Sequence, residues 1–331
     1  MRKMPFIDDR WTFLSYKAIV LENRLLRIVV LPELGGRIWS VIYKPLDREI
    51  VWQNPRIDPQ KAPFGSAFDN VWCGGWEEMF PTAAPATING EVYPDHGEIW
   101  SLAWTLRIEQ GKDSATLRLN CQTPISGIAV EKALVLREDT PSFKLSYTVE
   151  NRGPEEFPFL FALHPAMAVS EGDRVDFPDM LFETDPSYPG TLAGVESPFK
   201  WPVARGKGTE MDLRTVKPAS SKAVYFLYGH GYKEGWFAVT DPVNKFSAGV
   251  TFSPEFFRSC WVFASYGGWR GYHMALVEPC TSFPQQLEDS IRQGLALKLA
   301  PGATLQTTLT FLAQEGLSSV GGISKTGLFQ E

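Results

Sequence analysis

Residues 143–151 read FKLSYTVEN, and their alternation decides the fold. Phe143, Leu145, Tyr147 and Val149 fall on one face, with Lys144, Ser146, Thr148 and Glu150 on the other. Successive side chains of a β-strand point to opposite faces, so a period of two predicts a strand with one buried side. WTLRIEQ, residues 104–110, repeats the pattern with Trp104, Leu106 and Ile108. Turn-forming clusters punctuate such runs: GKD at 111–113, EDTP at 138–141, NRGP at 151–154, DPVN at 241–244 and APGA at 300–303. Many fall between paired runs, which predicts consecutive hairpins in antiparallel sheet. Helical periodicity is almost absent, and SFPQQLEDSIRQG at 282–294 is the best candidate for a short helix.

Two Pro- and Gly-rich excursions, 53–98 and 186–208, interrupt the strands. Strand patterns of the same kind flank both, so neither reads as a domain linker. The expected architecture is a single all-β domain over residues 1–331, a large antiparallel β-sandwich whose long loops gather where function usually sits. The tail after about residue 316, within EGLSSVGGISKTGLFQE, is expected to be partly disordered.

The composition is compatible with one large core: 44% of the 331 residues are hydrophobic, and all-β domains reach this size. The net charge of −6 without a Lys/Arg block argues against nucleic acid or an anionic membrane as partner. No window approaches the roughly 18 apolar residues of a membrane-spanning helix. Asp8, Asp9 and Arg10 stand where a signal sequence would have its apolar core, so a cytoplasmic location is expected. Cys73, Cys121, Cys260 and Cys280 form no CxxC pair, which indicates free thiols rather than a zinc knuckle or a redox couple. The 11 tryptophans suit either a β core or a stacking surface for the flat faces of sugars.

Four ionisable positions stand out. FPFLFALHPAMAV, residues 157–169, holds one titratable group, His164, and Pro165 follows it. It is either a core histidine with a satisfied hydrogen bond or a proton donor on a dry wall. His96, in PDHGEIW at 94–100, ends a long excursion beside Gly97, where the backbone can bend or be approached closely. Glu278, in MALVEPCTSFP at 274–284, ends an apolar run, where a carboxylate is costly unless paired or set in a cleft. Arg37 follows two glycines in LPELGGRIWSVIY at 31–43. GGWEEMFPT at 74–82 adds Trp76, Glu77 and Glu78, whose carboxylates could orient sugar hydroxyls or be solvated loop charges. Trp72, Trp76 and Trp100 would then form a ligand wall. Of the other histidines, His230 lies between glycines and reads as a turn residue. His273 is five residues before Glu278, and an odd spacing puts the two on opposite faces of a strand.

GGRI, HG, HP after an apolar strand, and EP near the C-terminal end occur in that order in the aldose 1-epimerase (galactose mutarotase) family, and so does the strand pair AVEKALVLRED–TPSFKLSYTVENRG before HP. The chain resembles that family over roughly residues 25–312. The resemblance implies a large antiparallel β-supersandwich and a sugar mutarotase that interconverts α and β anomers by acid/base ring opening. It makes His164 the general acid and Glu278 the general base, and gives Arg37 and His96 sugar-binding roles; Trp76, Glu77 and Glu78, read from the residues themselves, are further substrate-binding candidates. It implies a monosaccharide or sugar derivative as partner, with no metal or other cofactor. Gly36 stands where members commonly have Asn, Ala166 and Met167 follow HP where an aromatic is frequent, and no counterpart of the family's substrate-binding aspartate is evident. These departures leave the sugar open. Alternatives are another sugar epimerase or lyase on the same scaffold, a non-catalytic carbohydrate-binding protein, and a metal site of His96, His164 and Glu278.

Overall fold

The structure is a computed structural model that describes residues 5–206, 208–324 and 327–331. Antiparallel strands dominate it, and α-helix is confined among the described residues to Phe68–Val71 and Leu287–Arg292, the latter inside the predicted segment. The chain forms two compact units. The first ends at His164 and resumes over Thr281–Leu309, and the second comprises Pro165–Cys280 and Thr310–Glu331.

In the first unit, Ile128–Arg137 and Ser142–Asn151 pair antiparallel from Ile128 opposite Asn151 to Leu136 opposite Phe143. Phe143, Leu145, Tyr147 and Val149 are buried and Lys144 is exposed, as the alternation requires. Ser114–Gln122 and Thr105–Gln110 continue this sheet. A second sheet runs from Phe6–Phe13 through Tyr16–Glu22 and Leu26–Leu31 to Arg37–Tyr43. Ile38 then pairs with Trp76 of the strand Trp76–Met79, whose other neighbour is Ala162–Met167, the strand of His164.

Trp76–Met79 lies inside an excursion expected to be loop. All four of its residues are buried, so no apolar–polar alternation marks it. The same stretch also holds the hairpin Ala86–Ile88/Glu91–Tyr93.

In the second unit, Leu181–Thr184, Ala223–His230, Ser259–Tyr266 and His273–Cys280 pair in that order. Arg174–Asp176, Gly235–Asp241 and Phe246–Phe252 form another antiparallel set. In the tail, Gly322–Ile323 pairs with Phe329–Gln330, and Leu317, Val320, Ile323 and Phe329 pack against Trp236, Ala238 and Leu312. Residues 325–326 lie outside the described residues. The four cysteines are free, and all but Cys121 are buried.

Candidate active site

The site grows from the strand Trp76–Met79. Because neighbouring side chains on a strand point to opposite faces, the adjacent carboxylates Glu77 and Glu78 part company. Both are fully buried. Trp76 and Glu78 turn toward the sheet of Ser142–Asn151, where Trp76 packs on Phe143 with ring centroids 6.2 Å apart. There Lys132 Nζ donates to both Glu78 oxygens at 2.8 and 2.9 Å, and Tyr147 Oη donates to Oε1 at 2.6 Å. Glu77 turns the other way, toward Arg37, Trp72 and His164.

Glu77 is the hub of that face. Its Oε2 accepts from Arg37 Nη1 at 2.7 Å, and its Oε1 accepts from Trp72 Nε1 at 2.8 Å. His164 Nδ1 lies 3.1 Å from the same Oε1. Since the carboxylate only accepts, Nδ1 carries the proton of this contact and the second ring nitrogen, Nε2, is left to meet a ligand. No partner for Nε2 exists among the described residues. Arg37 Nη1 also donates to the Gly74 carbonyl. Gly75, at φ +96°, makes room for this guanidinium, since a Cβ there would lie 2.9 Å from Arg37 Cδ.

Burial alone would raise the Glu77 carboxyl, but Arg37 first and His164 with Trp72 after it pull it below its usual value. At Glu78 the balance reverses. Burial outweighs Lys132 and Tyr147, so that carboxyl sits above its usual value. Two adjacent residues thus answer acid in opposite senses, because one faces a guanidinium and the other faces the core.

His96 stands beside His164, the ring centroids 5.5 Å apart and nearly perpendicular. It lies flat on Phe68, at 3.7 Å between centroids and 8° between planes. Its Nδ1 contacts Asp95 Oδ1 at 2.9 Å, and Asp95 also accepts the Phe68 amide. Burial works to raise Asp95, and these contacts, His96 foremost, hold it below its usual value. Both imidazoles therefore have Nδ1 tied to a carboxylate. Phe68 and Trp72 present ring edges or faces to His164 at 5.4 and 5.6 Å, completing an aromatic wall. Trp100 closes its far side, edge-on to Phe68 and bonded through Nε1 to the Asp95 carbonyl.

The turn that delivers His96 depends on glycine. Gly97 has φ +74°, and a Cβ there would meet the Phe80 carbonyl oxygen at 2.0 Å. His96 itself adopts φ 59°, an uncommon left-handed conformation for a non-glycine residue.

The structure thus brings together Arg37, Glu77, His96 and His164, and sets Trp76 and Glu78 on the opposite face of their strand, in the core of the first unit. Glu278 belongs to the second unit, 2% exposed, opposite Trp261 in the strand His273–Cys280. His230 ends a strand instead of forming a turn, with Nε2 3.0 Å from Glu183. His273 is tied to the carbonyls of Val169 and Lys217. Among the described residues, no three His, Cys, Asp or Glu side chains stand where they could hold one metal ion.

Sequence reasoning missed Asp95, Phe68, Lys132 and Tyr147. For Lys132 a signal existed: it occupies the inward register of Ile128, Val130, Leu134 and Leu136, where a lysine needs a buried anion. Asp95 was visible only as the neighbour of His96. Phe68 gave no signal.

A family model described as a domain of unknown function, DUF5107, matches residues 7–98, the span that holds Arg37, Glu77 and His96. Among solved structures, the chain is similar to a galactose mutarotase-like protein from Clostridium acetobutylicum at 13% identity and a TM-score of 0.67, covering 94% of this chain and 99% of that one. The Slr1438 protein from Synechocystis sp. PCC 6803 gives 16% identity and 0.66 over 96% and 100%. A galactose mutarotase related enzyme from Lactobacillus acidophilus gives 16% and 0.60 over 91% and 98%. The fold is that of the galactose mutarotase-like β-sandwich proteins. At such identities the likeness is one of fold alone. No helix among the described residues is long and apolar enough to cross a membrane.

Proposed function

We propose that the chain is a divergent member of the aldose 1-epimerase family, a sugar mutarotase that interconverts the α and β anomers of a monosaccharide or sugar derivative. One observation carries this reading: a buried imidazole, His164, has one nitrogen pinned by a carboxylate and the other left over, on an aromatic wall beside a second, similarly tied imidazole. His164 Nε2 is not among the buried atoms left without a partner, so it is open to a ligand as well as to water.

In the proposed reaction, a general base takes the proton from the C1 hydroxyl, the role that the family resemblance gives to Glu278. The C1–ring-oxygen bond breaks, its electron pair stays with the ring oxygen, and His164 Nε2–H protonates that oxygen. The products are the open-chain aldehyde, a protonated base and a neutral His164. Rotation about C1–C2 and the reverse transfers close the ring on the other face. Throughout, Glu77 accepts from Nδ1–H, which fixes the ring plane and the direction in which Nε2 points. Arg37 neutralises Glu77 and keeps one unmet donor, its buried Nε. His96 Nε2 is suited to a sugar hydroxyl. Glu77, with its oxygens taken by protein donors, serves His164 and not the sugar.

Polarimetry on a panel of neutral, acidic and phosphorylated sugars tests the reading. At least one sugar should mutarotate faster with the protein than in buffer. His164→Asn should lose about 10²–10⁴-fold in rate while sugar binding persists. Wild-type rates in that variant, or no acceleration of any sugar by the wild type, would overturn it.

A further inference from the structure

The second unit contains a cleft that the proposed chemistry does not use. Arg174 and Asp176 are two residues apart on one strand, hence on the same face. The Val175 amide bonds to the Arg214 carbonyl at 2.8 Å, which brings Arg214 alongside. Arg174 Nη2 donates to Asp176 Oδ1 at 3.2 Å. Arg214 Nε lies 3.2 Å from the same oxygen but out of hydrogen-bonding alignment. Trp201 stands next to them, edge-on to Phe177. These residues line one cleft of about 420 Å³, with Lys200, Asp179, Glu331 and the segment Ser319–Gly321 around it.

Its walls are unfinished. Nine buried side-chain polar atoms lack a partner among the described residues, and four of them lie here: Nε of Arg174, Nε of Arg214, Oδ2 of Asp176 and Nε1 of Trp201. Asp176 is only 5% exposed, and although the Val320 amide approaches its carboxylate, it does so outside hydrogen-bonding alignment with Oδ2. Buried polar groups left unmet are costly, so their gathering round one opening points to a ligand that meets them.

The unmet set defines that ligand. Three atoms are donors and one is a carboxylate acceptor. A simple anion would suit the arginines but be repelled by Asp176, and a cation would suffer the reverse. Asp176 offsets one guanidinium, and Asp179 pairs with Lys200 at 2.8 Å. Hydroxyl groups both donate and accept, and an indole beside them offers a platform for the apolar face of a sugar ring.

We propose that this cleft binds a neutral saccharide through Asp176, Arg174, Arg214 and Trp201, as a non-catalytic site of the second unit. It does not depend on the mutarotase reading, since none of its residues takes part in that chemistry.

The test is the indole N–H signal of Trp201 in ¹H–¹⁵N spectra of the full chain, identified as the one lost in Trp201→Phe. Titration with glucose, galactose and maltotriose should shift it saturably for at least one of them, and inorganic phosphate should not. Arg214→Ala should weaken that saccharide about tenfold, the worth of one charge-assisted bond. Trp201→Phe, which keeps a ring and loses the N–H, should weaken it severalfold in calorimetry even if Arg214→Ala fails to fold. A signal unmoved by every saccharide, a response to phosphate alone, or an affinity unchanged in the variants that fold would overturn the proposal.

Discussion

Replacing Lys132 with Met tests the electrostatics of the core behind the site. Lys132 is 1% exposed and makes two short bonds to Glu78, which is fully buried. Met keeps the apolar stem and removes the charge, leaving Glu78 with the bond from the Tyr147 hydroxyl. Breaking a buried pair by removing one partner costs about 3–5 kcal/mol. Glu78 has an escape, however: it can take up a proton. Relative to an unfolded glutamate that titrates near 4.3, protonation at pH 7 costs roughly 4 kcal/mol, and at pH 5 roughly 1 kcal/mol. These figures cap the electrostatic loss. In the variant, the folded state holds a proton that the unfolded chain releases above about pH 4.3. The destabilisation relative to wild type should therefore grow as pH rises, approaching about 1.4 kcal/mol per unit once wild-type Glu78, itself raised, is ionised. Urea denaturation followed by tryptophan fluorescence at pH 5, 6 and 7, always against wild type, gives the number. The double variant Lys132→Met/Glu78→Gln should recover most of the loss at pH 7, since no charge then remains unpaired. A loss independent of pH, or a double variant no more stable than Lys132→Met alone, would refute the reasoning.

Three further outcomes are expected. Glu77→Gln should lower the mutarotation rate by less than His164→Asn does, with KM little changed, and should alter the ¹⁵N shifts of the His164 ring, which report its tautomer even if no sugar is turned over. Because the folded Glu77 carboxyl lies below its unfolded value, its contribution to stability is present above about pH 4.3 and fades as pH falls through the folded value. Acid titration of stability should show that component in wild type and lack it in Glu77→Gln. Gly97→Ala should destabilise by at least about 1–3 kcal/mol, because it combines φ +74° with a 2.0 Å contact to the Phe80 carbonyl; a melting temperature equal to wild type would contradict this.

The strand content was legible because strand alternation is local. Phe143, Leu145, Tyr147 and Val149 declare their face through neighbours two residues away, and a turn signal at each end sets the hairpins. The same locality let His164 and Arg37 be singled out, since a charge in an apolar run or after two glycines is visible without knowing what it meets. The strand Trp76–Met79 escaped notice because both of its faces are buried, and one of its inward positions is a carboxylate neutralised by a lysine from another sheet.

What the sequence by itself determined is therefore the fold class, from the period of two, and the identity of the exceptional ionisable residues. Only the tertiary structure decided what those residues do to one another. Glu77 finds Arg37 and His164 at separations of 40 and 87 residues, and Glu78 finds Lys132 and Tyr147 at 54 and 69. No local pattern encodes such meetings. Two identical, adjacent side chains are pushed in opposite directions on the pH scale because one strand shows one face to a guanidinium and the other to the core.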